Sequence, residues 1–261
     1  MPTRLLLGFP LLLLGACRAL PPAAPPPPSD AASVLTAAGV EMPRGMTWPA
    51  EVRARPARRT FKNVRALAGI SSERFMAAMQ SMKANVGLEC RECHVQDDFP
   101  SDEKKPKLRA REMMRMTARI NLDLFGGEPV VTCFTCHLGK AVPEAPALPA
   151  AHLPDPRPTP LLPGDAERPA NEIYANVQVF DDVTAGRLLP IMSLMTRWLG
   201  VDCAHCHAGA GRWQSDEDPA KRRARQMLLM TSDVARIFYG GSSPIGCATC
   251  HRGGVRPVRA P

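Results

Sequence analysis

The chain has 261 residues, of which 45% are hydrophobic but only 5% aromatic, with 13 Met and nine Cys. Its formal net charge is +8. So few aromatics exclude a core filled by ring packing alone, and other apolar bulk must be supplied. At the N-terminus, Arg4 precedes an apolar run from Leu5 to Leu14 and then Leu14-Gly15-Ala16-Cys17. This is a charged region, an apolar region and a small-residue cleavage site, too short to span a bilayer. A Cys after Leu-Gly-Ala resembles a bacterial lipobox, so cleavage before Cys17 and lipidation of its thiol are expected, holding the protein to a membrane surface. Pro21 to Pro28 then read as a stiff polyproline spacer.

Past the spacer, Ser71 is an N-cap candidate for a helix that ends near Gly87. After Cys90-Arg-Glu-Cys93-His94, the run Ser101-Asp102-Glu103 is expected to open a second helix, its acids suiting the positive end of the dipole. That helix should reach about Phe125 and stop at Gly126-Gly127, ahead of Cys133-Phe-Thr-Cys136-His137. A Pro-rich stretch follows, and then the pattern repeats. Phe61-Lys-Asn63-Val64 pairs with Tyr174-Ala-Asn176-Val177, Ser71 with Thr184, Gly87 with Gly200, Ser101 with Ser215, and Arg109 and Arg111 with Arg223 and Arg225. The second copy of the long helix runs to about Phe238 and stops at Gly240-Gly241. The offset is 113 residues at the first cysteine motif and 114 at the second. Copies of this length are domains rather than solenoid units. The expected organisation is a signal peptide over 1–16, a lipidated spacer segment over 17–60, one unit over 61–140, a linker over 141–170, a second unit over 171–254 and a tail over 255–261.

Eight of the nine Cys lie in four C-x-x-C-H runs: Cys90, Cys93 and His94; Cys133, Cys136 and His137; Cys203, Cys206 and His207; Cys247, Cys250 and His251. Two thiols three residues apart share one side of a helical turn, where they can add to the two vinyl groups of one porphyrin. The His that follows points at the iron. A zinc ribbon does not demand a His after each knuckle. A thioredoxin-like dithiol uses one such run, and a disulfide scaffold leaves four identically placed His unexplained. The composition therefore points to four covalently bound haem c groups, which also supply the missing apolar bulk. Such attachment resembles a chemistry done outside the cytoplasm, in keeping with export. The fold class expected is mainly α: a multihaem cytochrome c of two pseudo-symmetric dihaem helical repeats with long irregular segments.

Most of the methionines read as adaptable core packing. Repeat arithmetic selects four as axial thioether ligands. Met79 and Met192 each stand 11 residues before Cys90 and Cys203, and Met113 and Met227 each stand 20 before Cys133 and Cys247. Met82, Met195, Met116 and Met230 are the alternatives. Haem irons with both axial positions filled have no open site for substrate, so electron transfer rather than catalysis is expected.

The stretches Met79 to His94, Arg111 to Thr117, Val131 to His137, Met192 to His207 and Arg225 to His251 resemble the tetrahaem cytochrome c subunit of photosynthetic reaction centres, over about residues 61 to 254. The resemblance implies a lipid-anchored protein of two dihaem halves on the periplasmic side of a bacterial membrane. Its partners would be a reaction-centre core, whose oxidised chlorophyll pair it refills, and a soluble electron carrier. In well-known members one haem takes a His from the loop after the first copy's second helix. Leu124 to Pro129 contains none here, which leaves Met227, by symmetry, as the fourth haem's ligand, with His152 a distant alternative and His205 read as an exposed turn residue. Similar cytochromes occur in bacteria that do not photosynthesise, so a respiratory carrier is a second reading. A reductase or peroxidase with a labile fourth haem is a third. Losing Arg4 with the signal leaves a charge of +7, and haem propionates offset this, so the basic pI implies no nucleic-acid partner. Arg109, Arg111, Arg223 and Arg225 read first as propionate partners, then as a docking patch, then as solvated helix face.

Overall fold

The computed structural model describes residues 48–146, 161–209 and 211–258. The signal segment, Cys17, the polyproline spacer and His152 lie outside the described residues. Among those residues the chain is mainly helical, with isolated bridges such as Pro56 to Ser71 and Pro169 to Thr184 in place of sheets.

Two short helices, α1 (Ala50–Ala54) and α2 (Ala57–Thr60), lead into α3 (Ser72–Val86). The first attachment turn is α4 (Cys90–Cys93), followed by the long α5 (Lys105–Phe125) and the second turn, α6 (Cys133–His137). The second copy has α7 (Ala170–Ile173), α8 (Ala185–Leu199), a 3-10 turn over Cys203–His205, α9 (Pro219–Phe238) and α10 (Cys247–His251). The duplication is visible in backbone detail. Ala57 N donates to Ile70 O and Ser72 N to Arg55 O, while Ala170 N donates to Val183 O and Ala185 N to Arg168 O, all at 2.8 Å. Asn63 and Asn176 both take the left-handed conformation that Asn tolerates best among side-chain-bearing residues.

The first helix of each copy begins and ends where its sequence signals stand. Ser71 Oγ accepts from Arg74 N, and Gly87 and Gly200 close their helices at φ of 64° and 65°. The second helices depart from expectation at their starts. They begin at Lys105 and Pro219 rather than at Ser101 and Ser215. The reason is a stronger claim on the acid. Asp102 accepts from Asn63 Nδ2 and Arg111 Nη1, each at 2.8 Å, and Asp216 accepts from Asn176 Nδ2 and Arg225 Nη1 at the same distances. A carboxylate bonded to a guanidinium gains more than one bonded to the backbone of a helix start. Asp218 caps α9 instead, accepting from Ala220 N.

The copies pack together along α5 and α9. Met116, Ile120 and Val131 from the first copy join Val234 in a buried cluster, flanked by Met113, Leu124 and Phe125 and by Met230, Phe238, Tyr239 and Ile245. A separate cluster within the first copy holds Leu67, Ile70, Ala78 and Met114, with Phe75, Met79 and Met82 against it. No described helix is long and apolar enough to cross a membrane.

Candidate haem sites

Each attachment turn is closed by its own sequence. Glu89 N donates to Glu92 Oε2, Thr132 N to Thr135 Oγ1, His205 N to Asp202 Oδ1 and Gly246 N to Thr249 Oγ1. These bonds tighten the turn so that the two Cys lie on one side. No two of the eight described cysteines are joined in a disulfide. No group of three or more His, Cys, Asp or Glu side chains converges among the described residues.

The four motif histidines share one arrangement. His94 Nδ1 lies 3.0 Å from Phe99 O, His137 Nδ1 2.9 Å from Lys140 O, His207 Nδ1 3.0 Å from Trp213 O and His251 Nδ1 3.1 Å from Gly254 O. A carbonyl can only accept, so Nδ1 carries the proton and Nε2 is left with its lone pair. That is the tautomer and orientation required of an iron ligand. Burial pushes the His207 pKa down, which keeps its ring neutral and able to ligate. The first and third motifs reach a carbonyl at the far end of a loop. The second and fourth use a tight turn, in which Leu138 and Arg252 take φ of 50° and 51°.

Opposite the third motif is an apolar cavity of about 340 Å³. Met192 and Met195 line it together with Cys203, Cys206 and His207, and Tyr174, Trp213 and Leu228 complete its walls. The sequence-selected Met192 is therefore brought to the attachment residues. A predominantly apolar cavity walled by two thiols, an oriented imidazole and thioethers fits a covalently held porphyrin iron. Met79 and Met82 occupy the matching positions on α3. Met113 lies at the boundary between copies, where its Sδ accepts from Tyr239 Oη at 3.6 Å. Met230 joins that same cluster, whereas Met227 is half-buried one turn away. The second and fourth motifs meet at this boundary, with Cys136 Sγ and Cys250 Sγ 3.5 Å apart. The cavity of the third motif is walled by the second copy alone.

Arg111 and Arg225 are already engaged. Their guanidinium groups hold Asp102 with Asn63 O, and Asp216 with Asn176 O. Arg109 pairs with Glu112 in solvent, and His205 is exposed as expected. Two residues escaped the sequence reading: Lys107 and Lys221, buried at 8% and 9% exposure. Their recurrence at the 114-residue offset was a usable signal.

The fold and attachment geometry define a c-type cytochrome. The family model of the photosynthetic reaction centre cytochrome C subunit matches residues 31–148 and again 147–260, one match to each copy. The chain belongs to that family. It is 34% identical over 103 residues to the photosynthetic reaction center cytochrome c subunit of Roseobacter denitrificans, covering 36% of this chain and 28% of that protein. It is 25% identical over 251 residues to the subunit of that name from Rubrivivax gelatinosus, covering 77% and 68%. It is also 35% identical over 81 residues to cytochrome c-554 of Chloroflexus aurantiacus, covering 29% and 20%. The similarity thus spans under a third of two of these relatives and about two thirds of the other.

Proposed function

We propose that the protein carries four haem c groups and passes electrons between a soluble carrier and a reaction-centre core, re-reducing a photo-oxidised chlorophyll pair. Haem c, when bound, supplies a reversible one-electron iron couple. The chain's residues do the rest. Cys90 and Cys93, Cys133 and Cys136, Cys203 and Cys206, and Cys247 and Cys250 fasten the porphyrins by thioether bonds. His94, His137, His207 and His251 present Nε2 to the irons. Met79, Met113, Met192 and Met227 would supply each iron's second protein ligand and leave no position open to substrate, so the protein would act as a carrier rather than an enzyme. The units over 61–140 and 171–254 each hold one pair. Lipidated Cys17 would keep the protein on the periplasmic side of the membrane.

The observation that carries this reading is the fourfold Nδ1-to-carbonyl bond beside each cysteine pair. Haem quantification against protein mass tests it: four haems per chain are expected, falling by one when a single motif loses both Cys to Ser. Flash excitation of reaction centres with the reduced protein should oxidise a haem α-band; absence of that signal, with haems intact, would favour the respiratory carrier. Rapid binding of carbon monoxide to one haem of the reduced wild-type protein would favour the enzyme reading. Uptake of radioactive fatty acid that is lost in Cys17→Ala tests the anchor.

A further inference from the structure

Each copy holds one buried lysine whose ammonium is spent on backbone carbonyls. Lys107 Nζ donates to Phe99 O at 2.8 Å, Pro100 O at 2.9 Å and Ser101 O at 2.7 Å, which uses all three of its hydrogens. Phe99 O is the same oxygen that accepts from His94 Nδ1. In the second copy, Lys221 Nζ donates to Trp213 O at 2.8 Å and Ser215 O at 2.9 Å, and Trp213 O accepts from His207 Nδ1. The sequences of the two loops differ, Phe99-Pro-Ser against Trp213-Gln-Ser, yet the shared acceptor is kept. The second and fourth motifs use turn carbonyls instead, Lys140 O and Gly254 O.

Charged groups of both signs surround each lysine. Asp102 faces both Lys107, at 3.5 Å, and Arg111, at 2.8 Å; Asp216 faces Lys221 at 3.4 Å and Arg225 at 2.8 Å. Arg65 reaches Asp102 from solvent as well. Asp98 acts on Lys107 as well, and Asp218 on His207, so what stands behind each motif histidine is the lysine ammonium itself, held on the shared oxygen. Two effects follow, with the same sign. A hydrogen bond from Nδ1–H to a carbonyl makes the imidazole a stronger donor to iron and favours the oxidised metal. An ammonium on the same oxygen draws that electron density away. A buried positive charge also favours the iron that has gained an electron.

We propose that Lys107 and Lys221 are positioning residues that raise the reduction potentials of the first and third haems through the carbonyl each shares with the proximal histidine. This rests on His94 and His207 being iron ligands.

The test is a spectroscopically monitored redox titration of the full holoprotein. Lys107→Met should lower one component, the same one displaced by Met79→His, and leave the others in place. Lys221→Met should lower a different one, that displaced by Met192→His. Lys105→Met, which removes an exposed charge at the start of the same helix, should move neither. Lys107→Gln loses the charge but keeps an N–H donor, and should shift the same component downward even where Lys107→Met fails to assemble. Full haem content with unmoved potentials, a uniform displacement of all components, or an equal shift in Lys105→Met overturns the tuning role alone. A wild-type protein without haem on His94 or His207 overturns the haem reading beneath it.

Discussion

The side chain of Asn121 and the backbone of Val131 close a two-bond ring: Asn121 Nδ2 donates to Val131 O at 2.8 Å, and Val131 N donates to Asn121 Oδ1 at 2.9 Å. Asn121 is fully buried, and Val131 stands two residues before Cys133. The ring thus ties the second attachment turn to the long helix. The second copy has Ala235 at this position, and there Ile245 N bonds to Ser243 Oγ instead. Asn121→Ala would strand two buried backbone groups, each costing roughly 1–3 kcal/mol. A clear fall in thermal stability and reduced haem occupancy at Cys133 and Cys136 are expected, read by calorimetry and peptide mass analysis. Ala235→Gly, which strands no such pair, should have a smaller effect.

Gly87 tests the contact between the first helix and the second attachment turn. A Cβ there would stand 2.0 Å from Gly139 O, and one on Gly200 2.2 Å from Gly253 O. Gly126 has a similar φ, 62°, but open space around it. Gly126→Ala should therefore cost only the left-handed penalty of about 1–2 kcal/mol. Gly87→Ala adds a backbone collision, so its denaturation midpoint should fall distinctly further. Equal losses would show that the helix end has room to move.

Acid sensitivity should follow Asp102. Its carboxyl is held down at about 2 by the Asn63 amide first and then by the Arg111 guanidinium. Because the folded value lies below the ordinary value of about 3.9, its stabilisation is complete above that pH and disappears as pH falls through about 2. Wild-type helicity should decline across this window. Asp102→Asn should be less stable at neutral pH and show a flatter acid limb, measured by far-ultraviolet circular dichroism.

Carbon monoxide tests the proposal that methionines are the axial ligands. Reduced Met192→Ala should bind it at one haem, through the side of the cavity that Met192 lines. Met227→Ala should likewise open the fourth site. Met230→Ala should instead lose roughly 2 kcal/mol of stability by weakening the cluster between copies, without opening an iron. The reverse result would assign Met230 as the ligand.

By itself the sequence determined the four C-x-x-C-H turns, their division into two pairs, the helix ends at Gly87 and Gly200 and the mainly helical class. These depend on neighbours within a turn or two, or on comparing the chain with itself at one offset. Tertiary structure alone decided where each His Nδ1 is satisfied, why Asp102 and Asp216 leave their helix starts, and that Lys107 and Lys221 are buried beside the carbonyls that His94 and His207 use. It also decided that Met113 and Met230 share a cluster while Met192 lines a cavity with Cys203 and His207. Those outcomes join residues far apart along the chain, such as Asn63 with Arg111 or Cys136 with Cys250. A charged side chain chooses between solvent, helix end and buried partner only after the helices have packed.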